Sequence, residues 1–236
     1  MEYFKSIHLI DLKNYNPQEI QDLKEVSLIQ KEIKYYFQPL YEMFTINLRP
    51  FNEQETQQLS QEISQLFNKI EKLQILIMDE YFELKYLQLI GKAISQCQNL
   101  KYLNIFIFNI KYIYCEEGQL SDYVIFTQQI AQCKGIQYLD LNVEQGHIDD
   151  QTCFQMLKNL NSLPKLSQIE LNLVDNPLYI EDCWQQLIQM FKGFHNLNYL
   201  IIVFPYEQSR EFMEMLRLSF KKVIKKLTHI CLSWLD

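Results

Sequence analysis

An α/β solenoid, one parallel strand and one helix per unit, is the architecture this sequence predicts, and three observations predict it. The segments LKYLNIFI, IQYLDLNV, LSQIELNL, LNYLIIVF and LTHICLSW share apolar residues at positions one, four, six and eight. These copies open at Leu100, Ile136, Leu166, Leu197 and Leu227, in steps of 36, 30, 31 and 30 residues. Looser copies open at Phe4, Tyr41 and Leu73, so the pattern predicts about eight degenerate repeats. The stretches between copies carry apolar residues at helical spacing, whereas the copies alternate with a period of two. No linker or low-complexity seam interrupts the series, so residues 1–236 read as one domain. Units that recur at this period bury their apolar faces only against their neighbours, which is the logic of a stacked array.

Each element follows from its own residues. Residues 1–40 read as an atypical amino-terminal cap, with a helix over Pro17–Phe37 whose Ile20, Leu23, Val26, Ile29, Ile33 and Phe37 share a face. Asn16 caps that helix and Pro17 occupies its first position. A strand from Tyr41 is followed by a helix over Glu53–Ile70, carrying Leu59, Ile63, Leu66 and Ile70. After the Leu73 strand, Phe82–Gln96 offers Leu84, Leu87, Ile90 and Ile94. The Leu100 strand leads into an enlarged loop, Asn109–Gly118, and then a helix over Gln119–Gln132. Helices over Asp150–Leu163, Glu181–Phe191 and Glu207–Lys226 separate the remaining strands. Pro50, Pro164, Pro177 and Pro205 all fall outside the strand cores, as pairing requires. With every crossover helical, the strands run parallel and the helices lie on the outer side.

Composition narrows the function classes. The chain is 48% hydrophobic and 22% charged, the balance of a folded domain. A net charge of −7 disfavours nucleic acid, and the basic stretch FKKVIKK at 220–226 reads as the solvated face of the last helix. The six cysteines have no CxxC-like spacing. Cys97 and Cys133 recur three residues before their strands' opening residues, which marks small core fillers in a reducing compartment. The amino terminus lacks a signal-peptide pattern and no apolar run reaches membrane-spanning length, so the expected location is cytoplasmic, with cytoskeleton or cilium as options.

The unit GKAISQCQNLKYLNIFIFN, followed by QIAQCKGIQYLDLNVEQGHIDDQTCFQMLKNLNSLPKLSQIELNLVDN, resembles leucine-rich repeats of the ribonuclease-inhibitor type. The likeness covers nearly the whole chain, most strongly from Leu73 to Trp234. It implies a horseshoe-like arc with the parallel sheet on the concave side and full helices on the convex side. The family pattern places an Asn or Cys at position nine, where its side chain satisfies turn backbone groups. This chain departs from it: the polar residues Asn109, Gln145 and Asp175 fall one position later.

Catalytic constellations are sparse. The five glycines form neither GxGxxG nor a P-loop, and the four histidines lack metal-type partners. His229 and Cys231 share a strand face, but read as ordinary outward positions. In GHIDD, Asp149 or Asp150 reads as the cap of the next helix. Arg49 is the one arginine placed like the surface residue that GTPase-stimulating members of the repeat class present to their partners. No catalytic, metal or cofactor set is assigned, and the chain is read as a non-enzyme.

What remains is a binding surface. Positions three, five and seven give three outward rows: Ile75, Tyr102, Tyr138, Gln168, Tyr199, His229; then Ile77, Asn104, Asp140, Glu170, Ile201, Cys231; then Asp79, Phe106, Asn142, Asn172, Val203, Ser233. Tyrosines beside Asp140 and Glu170 point to a protein partner carrying a basic segment. The partner-binding candidates are therefore Tyr102, Asn104, Phe106, Tyr138, Asp140, Asn142, Glu170, Asn172 and Tyr199. Trp234 joins them because LSWLD leaves the last strand without a covering helix. The expected function is a non-catalytic interaction scaffold within a larger intracellular assembly. The alternatives are a substrate-recognition arm of a ubiquitin ligase or a GTPase-stimulating protein.

Overall fold

A parallel strand pair requires the chain to return to its starting end, and a helix per crossover supplies that return. The computed structural model describes residues 34–38, 43–48, 71–78, 84–108, 121–178, 180–205 and 209–234. Within them one eight-stranded sheet runs in chain order. Its strands are β1 (Lys34–Gln38), β2 (Met43–Leu48), β3 (Lys72–Met78), β4 (Tyr102–Phe108), β5 (Tyr138–Glu144), β6 (Gln168–Asn172), β7 (Tyr199–Phe204) and β8 (His229–Trp234). From β2 to β8 every neighbouring pair is parallel. The helices are α1 (Lys85–Ser95), α2 (Asp122–Ile130), α3 (Asp150–Leu160), α4 (Ile180–Phe191) and α5 (Arg210–Val223).

The first pair corrects the sequence reading. Residues 34–37 close the expected Pro17–Phe37 helix, yet they belong to β1, which pairs antiparallel with β2. Lys34–Gln38 is KYYFQ, and three adjacent aromatics favour a pleated surface over a helix. The rest of that helix, the Phe4 strand, the Glu53–Ile70 helix, Arg49 and the Asn109–Gly118 loop lie outside the described residues.

The core lies between one sheet face and the helices. Leu103, Ile105 and Ile107 of β4, and Leu139, Leu141 and Val143 of β5, are buried, while their alternates Tyr102, Asn104, Phe106, Tyr138, Asp140 and Asn142 are not. Helices present matching stripes: Met213, Leu216, Phe220 and Ile224 recur at three- and four-residue steps along α5 and beyond it. Successive helices pack on one another, so they form one layer against that face. Asp149 Oδ1 accepts a hydrogen bond from Thr152 N at 2.8 Å, the capping role read from GHIDD.

The stacking is set at the turn before each strand. Lys101 O accepts from both Gln137 N and Tyr138 N, at 2.8 and 3.0 Å. Gln137 O accepts in the same way from Ser167 N and Gln168 N, Ser167 O from Asn198 N and Tyr199 N, and Asn198 O from Thr228 N and His229 N. Beneath this spine, Cys97, Cys133, Leu163, Phe194 and Ile224 are all buried, each three residues before its repeat's opening residue. Cysteine therefore alternates with Leu, Phe and Ile in one core row. Burial pushes the Cys133 thiol up to about 11, so it stays protonated. Gly135 is required in this tier, because a Cβ there would meet Leu100 O at 2.7 Å.

After β6 the buried polar role falls neither on position nine nor on Asp175. Gln145 and Asp175, with φ of 55° each, are exposed turn residues joined by a 3.2 Å hydrogen bond from Gln145 Nε2 to Asp175 Oδ2. Asn176, the next residue, is fully buried. Its Nδ2 donates to Val143 O at 2.6 Å and Leu173 O at 3.0 Å, and its Oδ1 accepts from Ile148 N at 2.8 Å. One side chain thus satisfies the turns of two repeats. Asn176→Ala leaves these groups unpaired and should lower unfolding free energy by about 2–4 kcal/mol in a urea titration, with the fold retained.

Candidate functional site

Alternation along each strand leaves one sheet face without a covering layer among the described residues, and the ladder register fixes what stands there. Across β3 to β8 the first row is Lys72, Tyr102, Tyr138, Gln168, Tyr199, His229. The second is Gln74, Asn104, Asp140, Glu170, Ile201, Cys231, and the third Leu76, Phe106, Asn142, Asn172, Val203, Ser233. The candidates Tyr102, Asn104, Phe106, Tyr138, Asp140, Asn142, Glu170, Asn172 and Tyr199 thus share this face.

The assignments on β3 change. Ile75 and Ile77 are fully buried and are not surface residues; Asp79 lies outside the described residues. Leu73 pairs with Leu103, so it matches position four of its neighbour instead of position one. Lys72, Gln74 and Leu76 hold the register positions next to Tyr102, Asn104 and Phe106. Trp234 pairs in register with Phe204, a core residue, so it belongs to none of the three rows. The sequence reading also passed over Glu144, which continues the outward alternation of β5 in register with Phe108. It falls one pleat beyond the three-row template, and that is the signal that locates it.

The side chains make specific contacts. Lys72 Nζ stands 5.4 Å from the Tyr102 ring centroid, a cation–π arrangement. Tyr102 and Tyr138 approach at 6.0 Å with their planes tilted by 38°. Tyr199 and His229 stack at 4.4 Å and 12°. His229 is thus engaged with a ring, and Cys231 is an exposed free thiol. The Tyr138 hydroxyl donates to Glu170 Oε1 at 3.1 Å. Burial and the neighbouring carboxylates push the Tyr138 hydroxyl well above its ordinary range, so it remains a donor.

Asp140 and Glu170 face each other across β5 and β6. Burial, then the Glu170 charge, raises Asp140 to about 7. Among the described residues neither carboxylate forms a salt bridge. Two acids side by side in a partly dehydrated setting favour a cation in the space above them. Among the described residues no group of three His, Cys, Asp or Glu is placed to hold a metal ion.

A second apolar area lies at the β8 edge. Ile230 and Leu232 are only partly buried, whereas their partners Leu200 and Ile202 are buried. Leu218 on α5 is 51% exposed. Among the described residues no helix is long and apolar enough to cross a membrane. No protein-family model matches the chain, and no curated protein matches it.

The Asp140 shift has a stability consequence. The folded protein holds this proton up to about pH 7, while the unfolded chain releases it near the ordinary value of 3.8. Between those values the folded state binds more protons, so stability falls as pH rises through the window. Asp140→Asn removes that loss. Thermal melts should coincide with wild type near about pH 4 and favour the variant by ~1–2 kcal/mol near about pH 8, after allowance for solvent screening.

Proposed function

We propose that this chain is a non-catalytic protein-interaction scaffold of the leucine-rich-repeat kind, a subunit of a larger intracellular assembly. In this reading the open sheet face is the concave lining of an arc, and the partner docks across it. The observation that carries the reading is the composition of that face: three tyrosines, Phe106 and three asparagines around Asp140 and Glu170, neither of which forms a salt bridge among the described residues. Tyrosine supplies contact area at low entropic cost and keeps a hydroxyl for water or a partner. Unpaired carboxylates weaken the isolated fold and strengthen a complex that supplies their counter-charge. The half-buried Ile230 and Leu232 favour a second contact at β8, the edge strand of the sheet among the described residues.

The test is affinity purification of the tagged chain from its native cells. The wild type should retain a defined protein partner, and Tyr138→Ala combined with Asp140→Ala should lose it while keeping its circular dichroism spectrum. Full recovery of the same partner by the folded double variant overturns the assignment of this face.

A further inference from the structure

From β4 to β8 the first outward row is aromatic except at β6, where exposed Gln168 interrupts it between Tyr138 and Tyr199. The orientation of Tyr199 gives this gap a shape. Its ring stacks on His229 at 4.4 Å and 12°, close to the about 4.8 Å spacing of neighbouring strands, so its faces point along the row. One face is covered by His229, and the other is turned toward β6. Tyr138 closes the opposite side, leaning across β6 far enough for its hydroxyl to reach Glu170. Glu170 stands on the same face as Gln168, two residues along β6, with Asp140 beside it on β5.

We propose that this slot over Gln168 receives one lysine or arginine side chain from an extended basic segment of the docking partner, the cation held between Tyr138 and Tyr199 and against Glu170 and Asp140. The inference rests on the docking reading above and specifies where that partner's charge is seated.

Distances and charge carry it. The free face of Tyr199 looks toward β6 one strand away, so a cation over Gln168 is roughly 5 Å from that ring, inside the ~6 Å reach of a cation–π contact, with the Tyr138 hydroxyl and Glu170 on its other side. The same face already shows the arrangement once, since Lys72 stands 5.4 Å from the Tyr102 ring at its other end. The charged outward residues of β5 and β6 are of one sign, Asp140, Glu144 and Glu170, whereas Lys72 is three strands from Gln168. A basic group entering here offsets the burial, and then the Glu170 charge, that hold the Asp140 proton. An acidic or apolar segment leaves it in place. The partly exposed Ile201 and Val203 of β7 flank the slot and suit the aliphatic stem of such a side chain.

The experiment uses the full chain and two fluorescent peptides, (Arg-Ser)4 and its citrulline counterpart, identical but for charge, read by fluorescence anisotropy. The arginine peptide should bind at least about tenfold more tightly than the citrulline peptide. Glu170→Gln should weaken it about tenfold, and Gln168→Lys, which fills the slot with the chain's own cation, should abolish the preference. Glu211→Gln, an exposed carboxylate of α5, removes equal charge elsewhere and should leave affinity within about twofold. Equal binding of the two peptides, no binding of either, or equal weakening by Glu170→Gln and Glu211→Gln overturns the slot. Native-partner capture run in parallel separates the two levels. A partner lost by the Tyr138/Asp140 double variant but kept by Glu170→Gln leaves the docking face standing and removes the cation slot.

Discussion

A single carbonyl accepting two amide protons from the next repeat is the constraint on which the rest of this protein depends. It recurs at Glu71, Lys101, Gln137, Ser167 and Asn198. Each such bond pair sets the first residue of one strand against the first of the next. Because side chains alternate with a period of two, that single setting decides the fate of every residue downstream. Slipping β5 by one residue would carry Leu139, Leu141 and Val143 to the open face and put Asp140 under the helices. The desolvation of a carboxylate and the loss of three aliphatic contacts both oppose that slip. Backbone register and apolar pattern therefore enforce the same arrangement, which is why degenerate repeats still stack.

This arrangement separates two demands on the sequence. The buried alternates answer to packing: the row Cys97, Cys133, Leu163, Phe194, Ile224 tolerates four residue types provided each is apolar. The open alternates answer to something else. A sheet face evolved for stability alone has no use for Asp140 beside Glu170, since its partial burial, and then the Glu170 charge, lower the stability of the folded chain at neutral pH. Nor does it need Tyr138 to spend its hydroxyl on Glu170. That bond fixes the carboxylate's position before any ligand arrives. Such pre-positioning costs little on a rigid sheet and reduces the ordering entropy of binding.

The strand–helix alternation from Leu100 onward was legible because five copies agree, and agreement between copies decides register where one copy alone is ambiguous. At the Leu73 copy it was not. Leu73, Ile75, Leu76 and Ile77 form an almost unbroken apolar run, so the alternation fits in either phase, and only pairing with β4 resolves it. Lys34–Gln38 was hidden for a related reason: Ile33 and Phe37 complete a helical stripe, while the competing strand signal is just five residues long. Asn176 was invisible as a buried group because a turn asparagine normally faces water, and its counterpart in the preceding repeat is Gly146. The face bearing the site was readable, whereas its contacts were not. Sequence places Tyr199 and His229 in one row, but their stacking, and with it the direction of the free tyrosine face, is a matter of rotamers.

In the proposed slot, the interruption at Gln168 is what would make a specific site from a generic wall. A row of tyrosines in every copy would offer many equivalent ring faces and no preferred seat for a ligand. Replacing one with an exposed amide leaves a gap in the row at β6, toward which Tyr199 turns its free face and Tyr138 its hydroxyl. The carboxylates then supply direction, because they occupy the next outward position on β5 and β6 and not on β7 or β8, where Ile201 and Cys231 stand. The slot is therefore asymmetric along the sheet, acidic toward β5 and apolar toward β7. A basic side chain entering it has one favourable orientation, with its cation toward Asp140 and its stem over Ile201. That asymmetry arises from three outward residues of β6 and its neighbours, none of which contributes to the core, so these residues are free to change while the stacked repeats stay as they are.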